Sequence, residues 1–232
     1  YFIISTSVPH NFGWSAPRRI GPPNSIFTRV QSALLEVSAL QMKGPVRRRL
    51  DAIRRQAGLG PIRRIQEVFP ELAHITQLPQ CMDFPRSGLP GTFHYTGPFV
   101  DEAARLSVEF PWEQLDGRPV IYASLGTTLK SVPETVRVSD EAGTGLGIQL
   151  VISFGGRRDP ELFRDLPGTP LIVRDAPQLE LLKRAEAVIT HAGPNTVFEA
   201  LMQGKPMIAI PPTFAPPALA ARIAWLGVAI VL

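Results

Sequence analysis

Residues 187–199, AVITHAGPNTVFE, run a short apolar segment directly into His191, Gly193, Asn195, Thr196 and Glu199. Those residue types in that order suit the binding of a phosphorylated ligand. A helix beginning near Asn195 has first-turn N–H groups with no intrahelical partner, and these attract anions, phosphate above all. Thr196 adds a hydroxyl in that turn, Gly193 permits a tight turn and close backbone approach, and His191 supplies a ring N–H at the same edge. Glu199 follows Asn195 by four positions, so both project from one helix face and the carboxylate can take ribose hydroxyls. A second small-residue turn, SLGTT (124–128), holds Gly126 and Thr127 and follows another apolar run. The set suits a nucleoside diphosphate. Each piece also has a plainer use, because a lone histidine at a strand end is often structural and Asn and Thr are common helix caps. Their convergence at one sheet edge is what favours a ligand.

The elements that must position these residues follow from the apolar pattern. PVIYAS (119–124), IQLVIS (148–153), PLIV (170–173), AVIT (187–190), PMIAI (206–210) and GVAIV (227–231) are short β-rich runs. Helical patterns at Leu179–Arg184, Thr196–Gln203 and Ala218–Leu226 separate several of them. Strands buried on both faces and alternating with helices predict a parallel α/β sheet of Rossmann type. Ligands in such sheets sit beyond the carboxyl ends of the strands, where His191 falls. Between the first two runs, SVPETVRVSDEAGTGLG reads as a poor helix, with Pro133, β-branched valines and three glycines.

Upstream the rhythm differs. From about Asn24 to Gln66 the pattern is helical, and a short strand is expected around His74–Gln77. Residues 79–118 are dense in Pro, Gly and aromatics without a sustained period and read as loop and interdomain linker. The 232 residues suffice for one large domain or two small ones. With 44% hydrophobic and 19% charged residues, the composition is that of a globular protein and not of a disordered one. One cysteine, Cys81, excludes an internal disulfide framework and fits a reducing, cytoplasmic compartment. The uncharged stretch Pro206 to Ala221 holds five prolines and is too short for a membrane span.

Net charge is +4, but between Lys43 and Arg64 eight basic residues face one acid, Asp51. In that stretch Val46, Leu50, Ile53 and Ala57 fall at helical spacing, with Pro45 at the start and Gly58 and Pro61 at the end, so residues 45–57 are expected to form a basic amphipathic helix. A solvated face is its plain reading, and peripheral contact with an anionic membrane surface is the functional one. No aromatic interleaves the arginines for base stacking, so nucleic acid is not expected as a partner.

The stretch APQLELLKRAEAVITHAGPNTVFEALMQGKPMIAIP resembles the donor-binding signature of the nucleotide-sugar-dependent glycosyltransferases of the GT-B fold. It is most similar to that of the bacterial macrolide and carotenoid (zeaxanthin) glucosyltransferases. HYTGPFVDEAARLSVEFPWEQLDGRPVIYASLGTT resembles the linker and first C-terminal strand of the carotenoid type. The similarity spans about residues 80–232, and residues 1–79 fit more loosely as the later part of an acceptor domain. The resemblance implies a partial N-terminal acceptor domain over residues 1–96, a linker over 97–118 and a C-terminal donor domain over 119–232. It places His191 on the diphosphate with help from the backbone around Gly193 and Thr196, Asn195 near phosphate and sugar, Glu199 on the ribose, Gln178 by the nucleobase, and Gly126 and Thr127 over the phosphates. The implied chemistry is inverting transfer of a hexose from a UDP-sugar to a hydroxyl of a lipophilic acceptor, without a metal or a separate cofactor. A histidine base takes the acceptor's proton while helix dipole and His191 stabilise the departing diphosphate.

Three positions depart from the family pattern. Asp175 stands where an aromatic often stacks on the base. Ala215 and Pro216 stand where an acid–Gln pair reads the donor sugar. His10, His74 and His94 do not match the position of the catalytic histidine, so the base is unassigned and the chain is expected to be incomplete. The rival from another class is a non-catalytic nucleotide-sugar-binding or partner module that kept the cradle and lost the chemistry. A nucleotide-sugar epimerase is more distant, since no pair of cleft carboxylates presents itself.

Overall fold

The computed structural model describes residues 2–5, 44–61, 72–83, 89–103, 105–125, 132–156, 159–163, 165–211 and 217–232. Gly126, Thr127, Ala215, Pro216 and His10, together with the helical pattern expected at 24–43, lie outside the described residues. The chain divides into two compact units, Tyr1–Pro98 and Phe99–Leu232.

In the first unit three strands, β1 (Phe2–Ser5), β2 (Ala73–Thr76) and β3 (Phe93–Tyr95), lie parallel in that order. The basic helix forms as expected: α1 runs Gly44–Gln56. Its end is set by Gly58 in the left-handed region at φ 71°, which lets the Leu59 amide reach back to the Arg54 carbonyl at 2.8 Å. Leu50 and Ile53 of this helix are exposed beside Arg48, Arg49, Arg54 and Arg55.

The second unit is built on six parallel strands, β4 (Val120–Ser124), β5 (Gln149–Ser153), β6 (Leu171–Val173), β7 (Ala185–Thr190), β8 (Met207–Ala209) and β9 (Ala229–Val231). Helices α2 (Val132–Gly143), α3 (Gln178–Arg184), α4 (Pro194–Met202) and α5 (Pro217–Trp225) alternate with them. The strand order is β6-β5-β4-β7-β8-β9. The chain starts in the middle of the sheet, fills one side, then returns to lay β7 against β4. All five residues of β5 are buried, as an apolar run with helices on both faces requires. Ala123, Leu125, Leu150, Ile152, Phe154 and Ile189 cluster beneath α2 around the fully buried Val136, and each large side chain among them contributes about 1.5–3 kcal/mol by leaving water.

One sequence expectation is corrected. The segment read as a poor helix forms the twelve-residue α2. Pro133 sits in its first turn, where a missing N–H costs nothing, Glu134 faces the positive end of the dipole, and Val136 is held by the core. Tertiary packing outweighs the low propensity of its valines. Of the linker expected over 97–118, residues 99–118 group with the second unit. Gln149 anchors them by donating to the Gln114 carbonyl at 2.7 Å and accepting from the Asp116 amide at 3.1 Å, and the Arg184 guanidinium lies 3.9 Å above the Trp112 ring.

Candidate functional site: a crevice between β4 and β7

The order of the strands reverses between β4 and β7, and open α/β sheets bind ligands at such a reversal, outside the carboxyl ends. Ser124, the last residue of β4, pairs in register with Thr190, the last of β7. The next residue, His191, stands at that edge. The turn after it is unusual, because Ala192 is buried and held at φ 62°, a conformation that non-glycine residues rarely adopt. Such strain persists where the surroundings demand it, and it turns the chain sharply into α4. Gly193 is the N-cap with φ −64° and ψ 135°, and Pro194 opens the helix. No side chain caps this end. The amides of Asn195 and Thr196 stand outside the intrahelical ladder at the positive end of the dipole, which is the arrangement that binds anions.

His191 leans on both sides of the crevice. Its Nδ1 lies 3.4 Å from the Ser124 carbonyl oxygen, and its Nε2 edge lies over Gly193. A carbonyl only accepts, so Nδ1 carries the proton in this contact and Nε2 of the neutral ring presents a lone pair. Burial holds the imidazole below its ordinary value of 6.5, while the Ser124 carbonyl pulls the other way. The sequence reading expected a ring N–H for the ligand; protonating Nε2 supplies one.

Deeper along the same helix, Glu199 is only 2% exposed. Its Oε2 accepts from Gln178 Nε2 at 2.7 Å, and its Oε1 is paired with the Arg105 guanidinium. The Gln178 oxygen in turn accepts from Ser124 Oγ at 3.0 Å and the Tyr122 hydroxyl at 3.3 Å, while its nitrogen lies 3.5 Å from Thr196 Oγ1. Burial pushes the Tyr122 phenol up to about 12, so it remains a donor. One amide thus ties β4, α3 and α4 together. Thr196 and Glu199 are both buried, whereas Asn195 is exposed. The structure therefore brings His191, Gly193, Thr196, Glu199 and Gln178 to one crevice, with Asn195 at its rim. Sequence reasoning missed Tyr122 and Arg105. Tyr122 reads as one more residue of an apolar strand, and Arg105 lies 94 positions from its partner with no motif around it.

A parallel sheet with a dipole-headed helix and a buried carboxylate at its reversal point defines a Rossmann-like α/β unit. Residues 28–228 match the family model described as UDP-glucoronosyl and UDP-glucosyl transferase. The chain belongs to that family. Among curated relatives it is 32% identical over 173 residues to zeaxanthin glucosyltransferase of Pantoea ananas, covering 74% of this chain and 40% of the relative. To NDP-glycosyltransferase YjiC of Bacillus subtilis (strain 168) it is 30% identical over 167 residues, covering 72% and 42%. The matched part of the chain thus spans about two fifths of the length of these relatives. Among solved structures, the glycotransferase of kitacinnamycin superposes with a TM-score of 0.68 at 24% identity, over 95% of this chain and 55% of that one. CalG4, the calicheamicin glycosyltransferase, gives 0.66 at 22% identity, over 100% and 56%. At these identities the two structures speak for the fold.

Proposed function

We propose that the protein to which this chain belongs transfers a hexose from a UDP-sugar to a hydroxyl of a lipophilic acceptor, with inversion and without a metal. The second unit holds the donor. The observation that carries this reading is the pairing of an anion-binding helix start beside His191 with a buried carboxylate at Glu199, a little over one turn along the same helix. The diphosphate lies on the amides of Asn195 and Thr196 with His191 against it, and the ribose meets Glu199. Gln178 orients Glu199 at the inner end of the crevice. When the glycosidic bond forms, negative charge accumulates on the leaving diphosphate, where a fixed helix dipole and a protonated His191 stabilise it most. The relative named zeaxanthin glucosyltransferase supports a carotenoid-like acceptor.

The test is calorimetric titration with UDP followed by product analysis with a labelled UDP-sugar and a carotenoid diol. Micromolar or tighter UDP binding supports the donor site, and a labelled glycoside supports transfer. UDP bound without any transfer favours the non-catalytic module instead, and no UDP binding removes the donor site altogether.

A peripheral membrane contact on a cytoplasmic face is the second part of the proposal, carried by α1. Its arginines stand beside exposed Leu50 and Ile53, the composition that lies in an anionic lipid interface. Among the described residues no helix is long and apolar enough to cross a membrane. Co-sedimentation with vesicles containing phosphatidylglycerol, lost when Arg48, Arg49, Arg54 and Arg55 become Gln, supports the contact. Equal sedimentation of both proteins removes it.

A further inference from the structure

Glu199 is buried far more deeply than an isolated carboxylate tolerates, because desolvating a charge costs several kcal/mol unless partners replace the water. Its partners come from opposite directions. Gln178, inside the signature, holds Oε2 and is itself pinned by Ser124 and Tyr122. Arg105, in the segment before β4, holds Oε1 and brings the charge. The Arg105 side chain is 43% exposed and that of Glu199 is 3%, so the guanidinium reaches in from solvent to a carboxylate that solvent barely reaches. An ionised carboxylate has about four lone-pair sites. With one taken on each oxygen, two are left, and the two partners fix where those point.

We propose that Arg105 is a positioning residue for the donor's ribose: by pairing with Glu199 it fixes the carboxylate so that its free lone pairs accept the vicinal ribose hydroxyls, and the site thereby selects ribonucleoside over 2′-deoxyribonucleoside diphosphates. The inference rests on the donor-site reading above. A site built to bond a hydroxyl rejects the analogue lacking it, because its own polar groups are then left short of a partner. Without Arg105 nothing holds Oε1, the carboxylate is free to turn about its bond to Gln178, and the acceptor geometry is lost. Arg is the residue for this task, since its planar fork fixes direction as well as charge, and Lys supplies charge alone.

The experiment is titration of the chain with UDP and 2′-deoxy-UDP, in wild type, Arg105→Gln, Arg105→Lys and the control Lys183→Ala. Lys183 forms surface ion pairs with Glu102 and Glu180, so its loss removes a charge near Arg105 without removing the partner of Glu199. Wild type and the control are expected to prefer UDP by about tenfold or more, the worth of hydrogen bonds to a charged group. Arg105→Gln is expected to bring that preference within about twofold through loss of UDP affinity alone, and Arg105→Lys to restore part of it. A thermal melt of each variant separates loss of selectivity from loss of fold. If Arg105→Gln weakens both ligands equally, or leaves the preference intact, Arg105 is structural and the proposal is overturned while the donor site stands. Arg105→Lys decides in the same way should Arg105→Gln not fold. Wild type binding both ligands equally also overturns it. Wild type binding neither overturns the donor-site reading and this inference together.

Discussion

The imidazole of His191 lies over the α-carbon of Gly193, so closely that a Cβ added at residue 193 would stand 2.5 Å from Nε2 and 2.8 Å from Cε1. The backbone there, φ −64° and ψ 135°, is open to any residue. Glycine is needed for the ring and not for the turn. Gly193→Ala is therefore expected to displace His191 and to lower UDP affinity about tenfold or more, while overpacking costs about 1–3 kcal/mol of stability. His191→Ala added to that variant is expected to change affinity little further, since both remove one contact. Calorimetry on the two single variants and the double variant checks this, and additive losses would show that residue 193 acts by another route.

Burial holds both His191 and His74 below the ordinary histidine value of 6.5. Between the lowered folded values and 6.5 the unfolded chain binds more protons than the folded one, so stability rises with pH across that window and is lost on acidification through it. Urea midpoints measured from neutral pH downward are expected to fall below about pH 6.5, and His191→Asn is expected to flatten that fall. Nucleotide binding runs the other way: a diphosphate at Nε2 favours the protonated ring, so titrations in buffers of different ionisation enthalpy should register proton uptake. A binding heat independent of buffer would place the diphosphate away from Nε2.

Gln178 is the joint of the crevice. Gln178→Ala leaves the buried Tyr122 hydroxyl and Glu199 Oε2 each short of a partner, at a cost of about 1–3 kcal/mol for an unsatisfied buried group. The expected result is an unfolding free energy lower by about 2 kcal/mol or more, with weaker UDP binding. Gln178→Glu is expected to be worse for binding, because it replaces the amide donor to Glu199 Oε2 with a second carboxylate that repels it. A stable Gln178→Ala variant that binds UDP normally would remove Gln178 from any positioning role.

Asp140 is 2% exposed and accepts the Gly168 amide at 2.9 Å. A Cβ at residue 168 would stand 2.2 Å from Asp140 Oδ1, so Gly168→Ala cannot keep that bond. Stability is expected to drop by about 1–3 kcal/mol by thermal unfolding, with UDP affinity unchanged because the contact lies away from the crevice. A loss of affinity matching the loss of stability would tie this loop to the site.

What was legible in the sequence is what repeats or sits close together. VIYAS, QLVIS and AEAVIT are strands because short runs of apolar, often β-branched residues buried on both faces have few other homes. His191, Gly193 and Thr196 were legible because a strand, a turn and a helix start place them together whatever the rest of the chain does. Helix α2 was not, because Val136 is helical by virtue of the core it meets and that core is assembled from other strands. Arg105 was not either: no local pattern marks an arginine whose partner is reached only through the fold.

The crevice is assembled from Ser124 and His191, which are 67 positions apart. During synthesis β4, α2, β5 and β6 all emerge before β7 exists. Until β7 arrives, one side of β4 is an open edge of unpaired amides and carbonyls, the kind of surface on which chains add to one another. Parallel pairing across so long a loop is slow, which prolongs that exposure. The edge of β4 is therefore open to self-association after residue 173 has formed its strand and before residue 190 has docked, and the crevice comes into being when β7 closes that edge.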